Sequence, residues 1–291
     1  MKQMLRTPLL LLLSLLAFSG FSGCQTSEPR DERPLIYVSI APLKGLVERI
    51  VGDNFAIEVL VPAGASPETF EPTPRQLVAL NRAQWLFAVG LIDFERSLLE
   101  KIGDQAAIVP LHEGVELIAG SCSHHHEGHH HAHGIDPHIW TSPRALATMA
   151  DQIHRTIQAA YPDSLHYNTQ HARLQEDIAL LDCRTAAALA AAEVSEFLIY
   201  HPALTYYARD YGVRQTAIEE EGKEPSARRL GELIRHARTA GLSTILYQRQ
   251  FPRSSVEAVA SDMEAEAVEF DPLAEDILGE IDRITTLITR K

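Results

Sequence analysis

One uninterrupted segment in the middle of the chain limits the possible folds more than any other feature. Residues 168–193 contain neither glycine nor proline, and their second half is rich in alanine. Apolar side chains recur along it at helical spacing, at Leu174, Ile178, Leu181 and Leu189. A helix of these 26 residues is about 39 Å long at 1.5 Å per residue. We therefore expect a stiff strut that connects two lobes.

Short strand-like and helix-like segments alternate on both sides of the predicted strut. Before it, we predict strands at residues 35–40, 56–61, 85–89 and 107–109, and helices at 43–51, 74–82, 94–102 and 143–160. After it, we predict strands at 197–200, 244–247 and 267–270, and helices at 204–211, 227–240, 254–263 and 274–288. This alternation favours parallel sheets covered by helices. The predicted fold class is α/β, with two parallel-sheet lobes joined by a long rigid helix.

The N-terminus carries signals for export. Lys2 and Arg6 precede an apolar run at residues 9–18, which is too short to cross a membrane as a helix but suits a secretory signal. The run is followed by Phe-Ser-Gly-Cys, which resembles a bacterial lipobox and implies cleavage before Cys24 and acylation of its thiol. An ordinary signal peptide with an incidental cysteine is the alternative. No later segment is long and apolar enough to span a membrane.

These signals predict an extracytoplasmic, lipid-anchored protein, in the periplasm or at the cell surface. The domain plan has five parts. They are a signal peptide (1–23), a polar tether (24–34), an N-terminal lobe (35–165) with a His-rich loop (121–134), a linking helix (166–193) and a C-terminal lobe (194–291).

The charge of the chain indicates a cationic partner. There are 26 lysine and arginine residues against 39 acidic ones, and the formal net charge of −13 argues against nucleic acid as the main partner. The chain also has 14 histidines, and imidazole is a common metal ligand. Seven of them fall within ten residues: His124, His125, His126, His129, His130, His131 and His133.

Possible metal ligands occur where predicted strands or the His-rich segment give way to turns. They are Glu68, Glu71, His138, His201 and Asp271. Ligands of open α/β folds bind at the carboxyl ends of strands, so these turns are expected to share a crevice. Imidazole nitrogens and carboxylate oxygens together suit a divalent metal such as Zn, Mn or Fe.

Five segments resemble the metal-binding lipoproteins of ABC transporters for zinc and manganese, the cluster A-I solute-binding proteins, and especially their zinc-uptake branch. The segments are PAGASPETFEPTP, DPHIWTSP, YHPALTYYARDYG, IEEEGKEPSARRL and EFDPLAED. They follow the family's order and extend over nearly the whole chain after the tether. The resemblance implies a metal site at the interface of the two lobes. By motif, His138, His201 and Asp271 match the family's ligands.

The resemblance also implies a binding protein and not an enzyme. It would capture Zn²⁺, with Mn²⁺ as the alternative, and deliver the ion to a metal-transporting ABC permease in the inner membrane. We expect a monomer that meets the membrane through its lipid anchor. A manganese- or iron-binding component of the same family and a metal-binding surface adhesin are the alternatives.

One position departs from the family pattern. The first motif usually supplies a histidine after its proline, whereas this chain has Glu68 there. A glutamate oxygen binds Zn at about the same distance as a histidine nitrogen, so we predict a site of Glu68, His138, His201 and Asp271. The harder oxygen shifts the relative preference toward Mn or Fe. Alternatively, Glu68 turns away and water, Glu71 or a loop histidine fills the position.

The clustered histidines match the His-rich loop of the family's zinc-binding branch, which implies a secondary metal site that gathers zinc near the cleft. A low-complexity solvated loop with only incidental affinity is the alternative. The same run contains His126-Glu127-Gly128-His129-His130, which fits the HExxH pattern of zinc metalloproteases. That chemistry requires a helix, and Gly128 and the missing apolar periodicity argue against one.

Two further features have structural interpretations. Residues 219–221 are three consecutive glutamates, and we expect a solvated edge, although the resemblance places this loop near the cleft. Cys183 lies on the apolar side of the predicted strut and is expected to be buried. Cys122 borders the His-rich loop, and spacing alone establishes no disulfide between the two cysteines.

Overall fold

The computed structural model describes residues 32–102, 107–120, 134–219 and 223–290. The predicted signal peptide, the lipidation site at Cys24, Cys122 and the seven clustered histidines lie outside the described residues. Within those ranges, no helix has the length and apolar character needed to cross a bilayer. The expectations for the exported N-terminus and the His-rich loop therefore remain predictions.

The first lobe is built on a four-stranded parallel sheet with strand order β2-β1-β3-β4. Its strands are β1 (Leu35–Val38), β2 (Ala56–Val59), β3 (Trp85–Ala88) and β4 (Ala107–Pro110). Its helices are α1 (Ala41–Val51), α2 (Pro74–Leu80), α3 (Asp93–Ile102) and α4 (Pro143–Ala160). The two central strands are almost wholly buried, as expected for a parallel sheet with helices on its faces.

A helix of 27 residues, α5 (Leu165–Ala191), follows the first lobe and forms the predicted strut. Its apolar stripe is buried and packs against α1 and α4 of the first lobe and α9 of the second. Cys183 is exposed, so the expectation that it is buried was wrong. Cys183 has apolar neighbours on α5, but it lies outside the buried stripe that packs against α1, α4 and α9.

The second lobe repeats the parallel arrangement with strand order β6-β5-β7-β8. Its strands are β5 (Glu196–Ile199), β6 (Arg214–Ala217), β7 (Thr244–Gln248) and β8 (Glu266–Phe270). Its helices are α6 (Thr205–Tyr211), α7 (Ala227–Ala240), α8 (Arg253–Met263) and α9 (Ile277–Thr289). A separate apolar cluster beneath α7 and α8 covers one face of this sheet.

The strand β6 was not predicted from the sequence. Its residues, Arg-Gln-Thr-Ala, have no apolar run, and none of them is fully buried. As an edge strand, β6 pairs only with β5 among the described strands, and polar contacts from Arg214 and Thr216 to Glu196 of β5 add to its backbone hydrogen bonds. Apolar periodicity, the main signal for strands, is therefore absent here.

The two lobes share one hydrophobic core. A continuous cluster of buried apolar side chains includes Phe87 of the first sheet and Leu246 and Phe270 of the second. Hydrogen bonds also cross between the lobes: Trp140 Nε1 donates to the Pro272 carbonyl at 2.8 Å, and Thr141 Oγ1 donates to the Ala203 carbonyl at 3.1 Å. A dense shared core resists independent movement of its parts.

Candidate metal centre

The predicted ligands lie on turns that follow strands or lead into helices. Glu68 lies in the loop between β2 and α2, and His138 directly precedes the 3-10 turn Ile139–Thr141 that leads into α4. His201 follows β5, and Asp271 follows β8 without a gap. Strands of a parallel sheet present their carboxyl ends at one edge, and these turns border a cleft lined by residues of both lobes.

Three of the four predicted ligands come together in this cleft. One ligand atom from each of Glu68, His138 and His201 lies within 4.8 Å of the others. Glu68 Oε1 is 3.0 Å from His201 Nε2 and 3.7 Å from His138 Nε2. The side chains of the two histidines are only 6% and 4% exposed, and that of Glu68 is 19% exposed. Two imidazole nitrogens and one carboxylate oxygen thus converge on one point.

His138 is held by a carboxylate from its own segment. Asp136 Oδ1 accepts hydrogen bonds from both the backbone N–H and the Nδ1 of His138, at 2.9 and 2.8 Å. Burial raises the pKa of the Asp136 carboxyl, but the charge and the hydrogen bonds of His138 outweigh burial, and the pKa is lowered. In the neutral ring, a proton on Nδ1 facing Asp136 leaves the lone pair of Nε2 available on the side of Glu68.

His201 is held by a carboxylate from the segment that follows the neighbouring strand β6. Its Nδ1 lies 2.8 Å from Glu219 Oε2, whose side chain is only 8% exposed. Burial lowers the pKa of His201, but the carboxylates of Glu219 and Glu68 outweigh burial and raise it to about 9. His201 Nε2 is buried and makes no hydrogen bond of good geometry, although Glu68 Oε1 is close. A divalent cation that binds here would have to displace the proton of His201.

Asp271 does not join this group. Its Oδ2 lies 3.2 Å from Arg249 Nη1, and its Oδ1 accepts hydrogen bonds from the Leu273 N–H at 3.0 Å and from Gln250 Nε2 at 3.3 Å. Gln250 and Leu273 line the cleft, so Asp271 lies next to the cleft wall. Its assignment as the fourth ligand remains a prediction. Glu71, the alternative to Glu68, is exposed.

The walls of the cleft are largely apolar. Ile92, Trp140, Phe251 and Leu273 surround the converging ligands, and the rings of Trp140 and Phe251 lie 5.2 and 5.4 Å from those of His138 and His201. Gln248 also lines the cleft, and its buried Oε1 has no hydrogen-bond partner among the residues that the structure describes. Such walls exclude water and strengthen the attraction between a cation and its ligands.

Sequence reasoning missed the part played by Glu219. The expectation of a solvated edge was wrong for this residue, and residues 220–222 lie outside the described ranges. The parallel ladder between β5 and β6 continues beyond the strands, where the Ile218 N–H bonds to Ile199 O and the Glu219 N–H to Tyr200 O, both at 2.9 Å. This register places Glu219 beside His201. The family resemblance placed this loop near the cleft, but because β6 was not predicted, the sequence did not pair Glu219 with His201.

Comparison with known proteins identifies one family. The family described as zinc-uptake complex component A, periplasmic (ZnuA), matches residues 36–287. A crystal structure of ZnuA superimposes with a TM-score of 0.80 at 31% sequence identity, and the match covers 89% of this chain and 98% of that one. This likeness agrees with the two parallel-sheet lobes described above.

Two curated relatives illustrate the range of lengths. The zinc-binding lipoprotein AdcA of Streptococcus pneumoniae serotype 4 is 27% identical over 290 residues, which cover 94% of this chain and 55% of AdcA. A putative metal-binding protein of Chlamydia trachomatis serovar D is 26% identical over 278 residues, which cover 94% of this chain and 98% of that protein. The chain spans about half the length of the AdcA relatives that it matches.

Proposed function

We propose that this chain, which belongs to the ZnuA family, is a substrate-binding protein that captures Zn²⁺ in the cleft between its lobes and delivers it to an ABC permease. The family consists of transport components, and we extend that role to this chain: it binds metal and does not catalyse a reaction. The zinc-binding name of the relative AdcA supports the choice of ion.

One observation carries this proposal. Glu68, His138 and His201 bring ligand atoms within 4.8 Å of one another in a cleft with apolar walls. Each histidine has a carboxylate on Nδ1, the arrangement that orients zinc-bound histidines and raises their basicity. Glu68 Oε1 lies 3.0 Å from His201 Nε2 and 3.7 Å from His138 Nε2, so a bound cation would take the place that a proton now has between the carboxylate and the imidazoles.

The ligands divide between the two lobes. Glu68 and His138 belong to the first lobe and His201 to the second, so a captured ion would be shared by both. Zinc is usually four-coordinate in proteins, and we propose Asp271 of the second lobe as the fourth ligand. Because the lobes share a core and several hydrogen bonds, we expect capture to require a modest local rearrangement and not a wide closure.

The carboxylate of Glu68 bears on the choice of metal. Affinity for nitrogen and oxygen sites rises from Mn²⁺ to Zn²⁺ in the Irving–Williams order, so the two imidazoles favour zinc. The Glu68 oxygen, which stands in place of a third imidazole, reduces the preference for Zn²⁺ over Mn²⁺. Mn²⁺ is therefore the second candidate. Competition between Zn²⁺ and Mn²⁺ for the metal-free protein would distinguish them: displacement of zinc by equimolar manganese would contradict the proposal.

Export and anchoring complete the proposal. The basic and apolar segment before Cys24 and the lipoprotein name of AdcA support an extracytoplasmic protein with a lipid anchor. We propose that the anchor keeps the cleft near the permease. Loss of labelled-lipid incorporation in a Cys24→Ser variant would be the expected result, and unchanged incorporation would contradict it.

Substitution of Glu68 tests the site directly. We expect Glu68→Ala to weaken zinc binding by at least about a hundredfold, because losing a ligand costs more than losing an outer-shell partner, for which ten- to hundredfold is typical. Zinc affinity would be measured on metal-free protein by competition with a chromophoric chelator. Glu71→Ala is the matched control, since Glu71 is exposed in the same loop. Equal affinities of the two variants would rule out direct ligation by Glu68.

A further inference from the structure

The proposed fourth ligand already has a cationic partner. Arg249 Nη1 lies 3.2 Å from Asp271 Oδ2, while Gln250 and the backbone of Leu273 occupy Oδ1. A carboxylate that neutralises a guanidinium interacts less favourably with a second cation, because the two positive charges repel each other. Arg249 and a captured ion would therefore compete for the carboxylate of Asp271.

The position of Arg249 is built into the second sheet. Gln248 pairs with Phe270 at the ends of β7 and β8, and the Arg249 N–H donates to the Phe270 carbonyl at 3.1 Å. Arg249 and Asp271 are thus neighbours one step beyond adjacent strands. On its other side, Arg249 Nε contacts Glu269 Oε1 at 3.1 Å. The strand register therefore places this guanidinium beside Asp271.

The strength of the contact suits a partner that can be exchanged. The Arg249 side chain is 59% exposed and that of Asp271 is 18% exposed, and solvent-exposed ion pairs are weak. Glu269 would still hold the guanidinium after Asp271 leaves it. A metal–carboxylate bond in the water-poor cleft is stronger than such a pair, so an arriving divalent cation is able to replace Arg249.

We propose that Arg249 is a positioning residue that holds Asp271 out of the ligand group in the metal-free protein and competes with the metal for its carboxylate. This inference rests on the proposed zinc-binding function. The competition lowers the affinity of the cleft for zinc and gives Asp271 a ready partner when the ion leaves. It also explains why Asp271 is outside the cluster of Glu68, His138 and His201.

A double-mutant cycle tests the competition. Zinc affinity would be measured by chelator competition for the unaltered protein, Arg249→Ala, Asp271→Asn and the double variant. We expect Arg249→Ala to bind zinc about fivefold more tightly, the scale of an exposed ion pair. We expect Arg249→Ala to have no effect in the Asp271→Asn background, because the competition acts through that carboxylate. Arg249→Lys, which keeps the charge, should restore the original affinity.

Arg253 provides the matched control for Arg249. Arg253→Ala removes the same charge nearby, but Arg253 pairs with Glu257 on α8, and we expect unchanged affinity. Unchanged affinity of Arg249→Ala, or equal tightening with and without Asp271, would overturn the inference while leaving the zinc site intact. Absence of zinc binding by the unaltered protein would overturn the proposed function itself, and the inference with it.

Discussion

The two lobes have the same arrangement of strands but support their histidines in different ways. In the first lobe, His138 is held by Asp136, two positions earlier in the same turn. In the second, His201 is held by Glu219, which lies two residues beyond the end of the adjacent strand β6. The first support is local in sequence, whereas the second exists only because β5 and β6 pair in one register.

This difference separates two ways of building one site. Asp136 also bonds to the backbone of its turn, so it shapes the turn as well as the imidazole. The carboxylate of Glu219 bonds to the ring of His201 and not to the backbone of the His201 turn in the contacts of the described residues, so it acts on the basicity of the ring. The raised pKa of His201, to about 9, reflects the pair of carboxylates around its ring. The lobes therefore differ in how proton and metal compete.

The largest expected effect comes from removing each support. At pH 9, Glu219→Gln should weaken zinc binding by up to about a hundredfold, as is typical for the outer-shell partner of a metal-bound histidine, while the melting temperature of the metal-free protein changes little. Asp136→Asn should weaken binding and also lower the melting temperature, because it disturbs the turn. Chelator competition measures the zinc affinity, and calorimetry measures the melting temperature. Equal losses of melting temperature in the two variants would contradict the difference between Asp136 and Glu219.

The second effect concerns pH. Zinc must displace the proton that His201 carries below about pH 9, so affinity should rise by about tenfold per pH unit between pH 7 and 9. Glu219→Gln lowers the pKa of His201 by removing a carboxylate, so its pH dependence should be flatter and its loss of affinity smaller at pH 7 than at pH 9. An affinity that does not vary between pH 7 and 9 would contradict the role of His201.

The stability of the metal-free protein should change in the opposite direction. The folded pKa of His201, about 9, is above the ordinary histidine value of 6.5. Protonated His201 therefore stabilises the fold fully below about pH 6.5, and this contribution is lost as the pH rises through 9. The melting temperature of the metal-free protein, measured between about pH 6.5 and 9, should therefore fall as the pH rises. This fall should be smaller in the His201→Gln variant.

The smallest effect concerns the contact between the lobes. Trp140→Phe removes the hydrogen bond to the Pro272 carbonyl, whereas Trp85→Phe changes a tryptophan that packs on Phe55, Phe87 and Tyr161 of its own lobe. We expect the free energy of unfolding of the metal-free protein to fall by about 1 kcal/mol more for Trp140→Phe. Denaturant unfolding measures the difference. Equal losses would show that this bond adds nothing to the packing between the lobes.

Much of the fold followed from local patterns. The prediction of α4 matched the observed Pro143–Ala160, and α5 matched closely, because long amphipathic segments with clear ends carry their own signal. Short motifs after strands singled out Glu68, His138 and His201 as candidate ligands, and the structure brings these three side chains together; their role as metal ligands stays a prediction. The edge strand β6 was not predicted, because its four residues have no apolar pattern.

The sequence by itself determined the two α/β lobes, the strut and the types of ligand atom, since all of these depend on neighbouring residues. Only the tertiary structure decided which partner each ligand meets. Glu219 reaches His201 through strand register, and Asp271 meets Arg249 because the ends of β7 and β8 lie side by side. Such contacts join residues far apart in the chain, and their pairing is set by backbone hydrogen bonds between strands, which all residues except proline can donate.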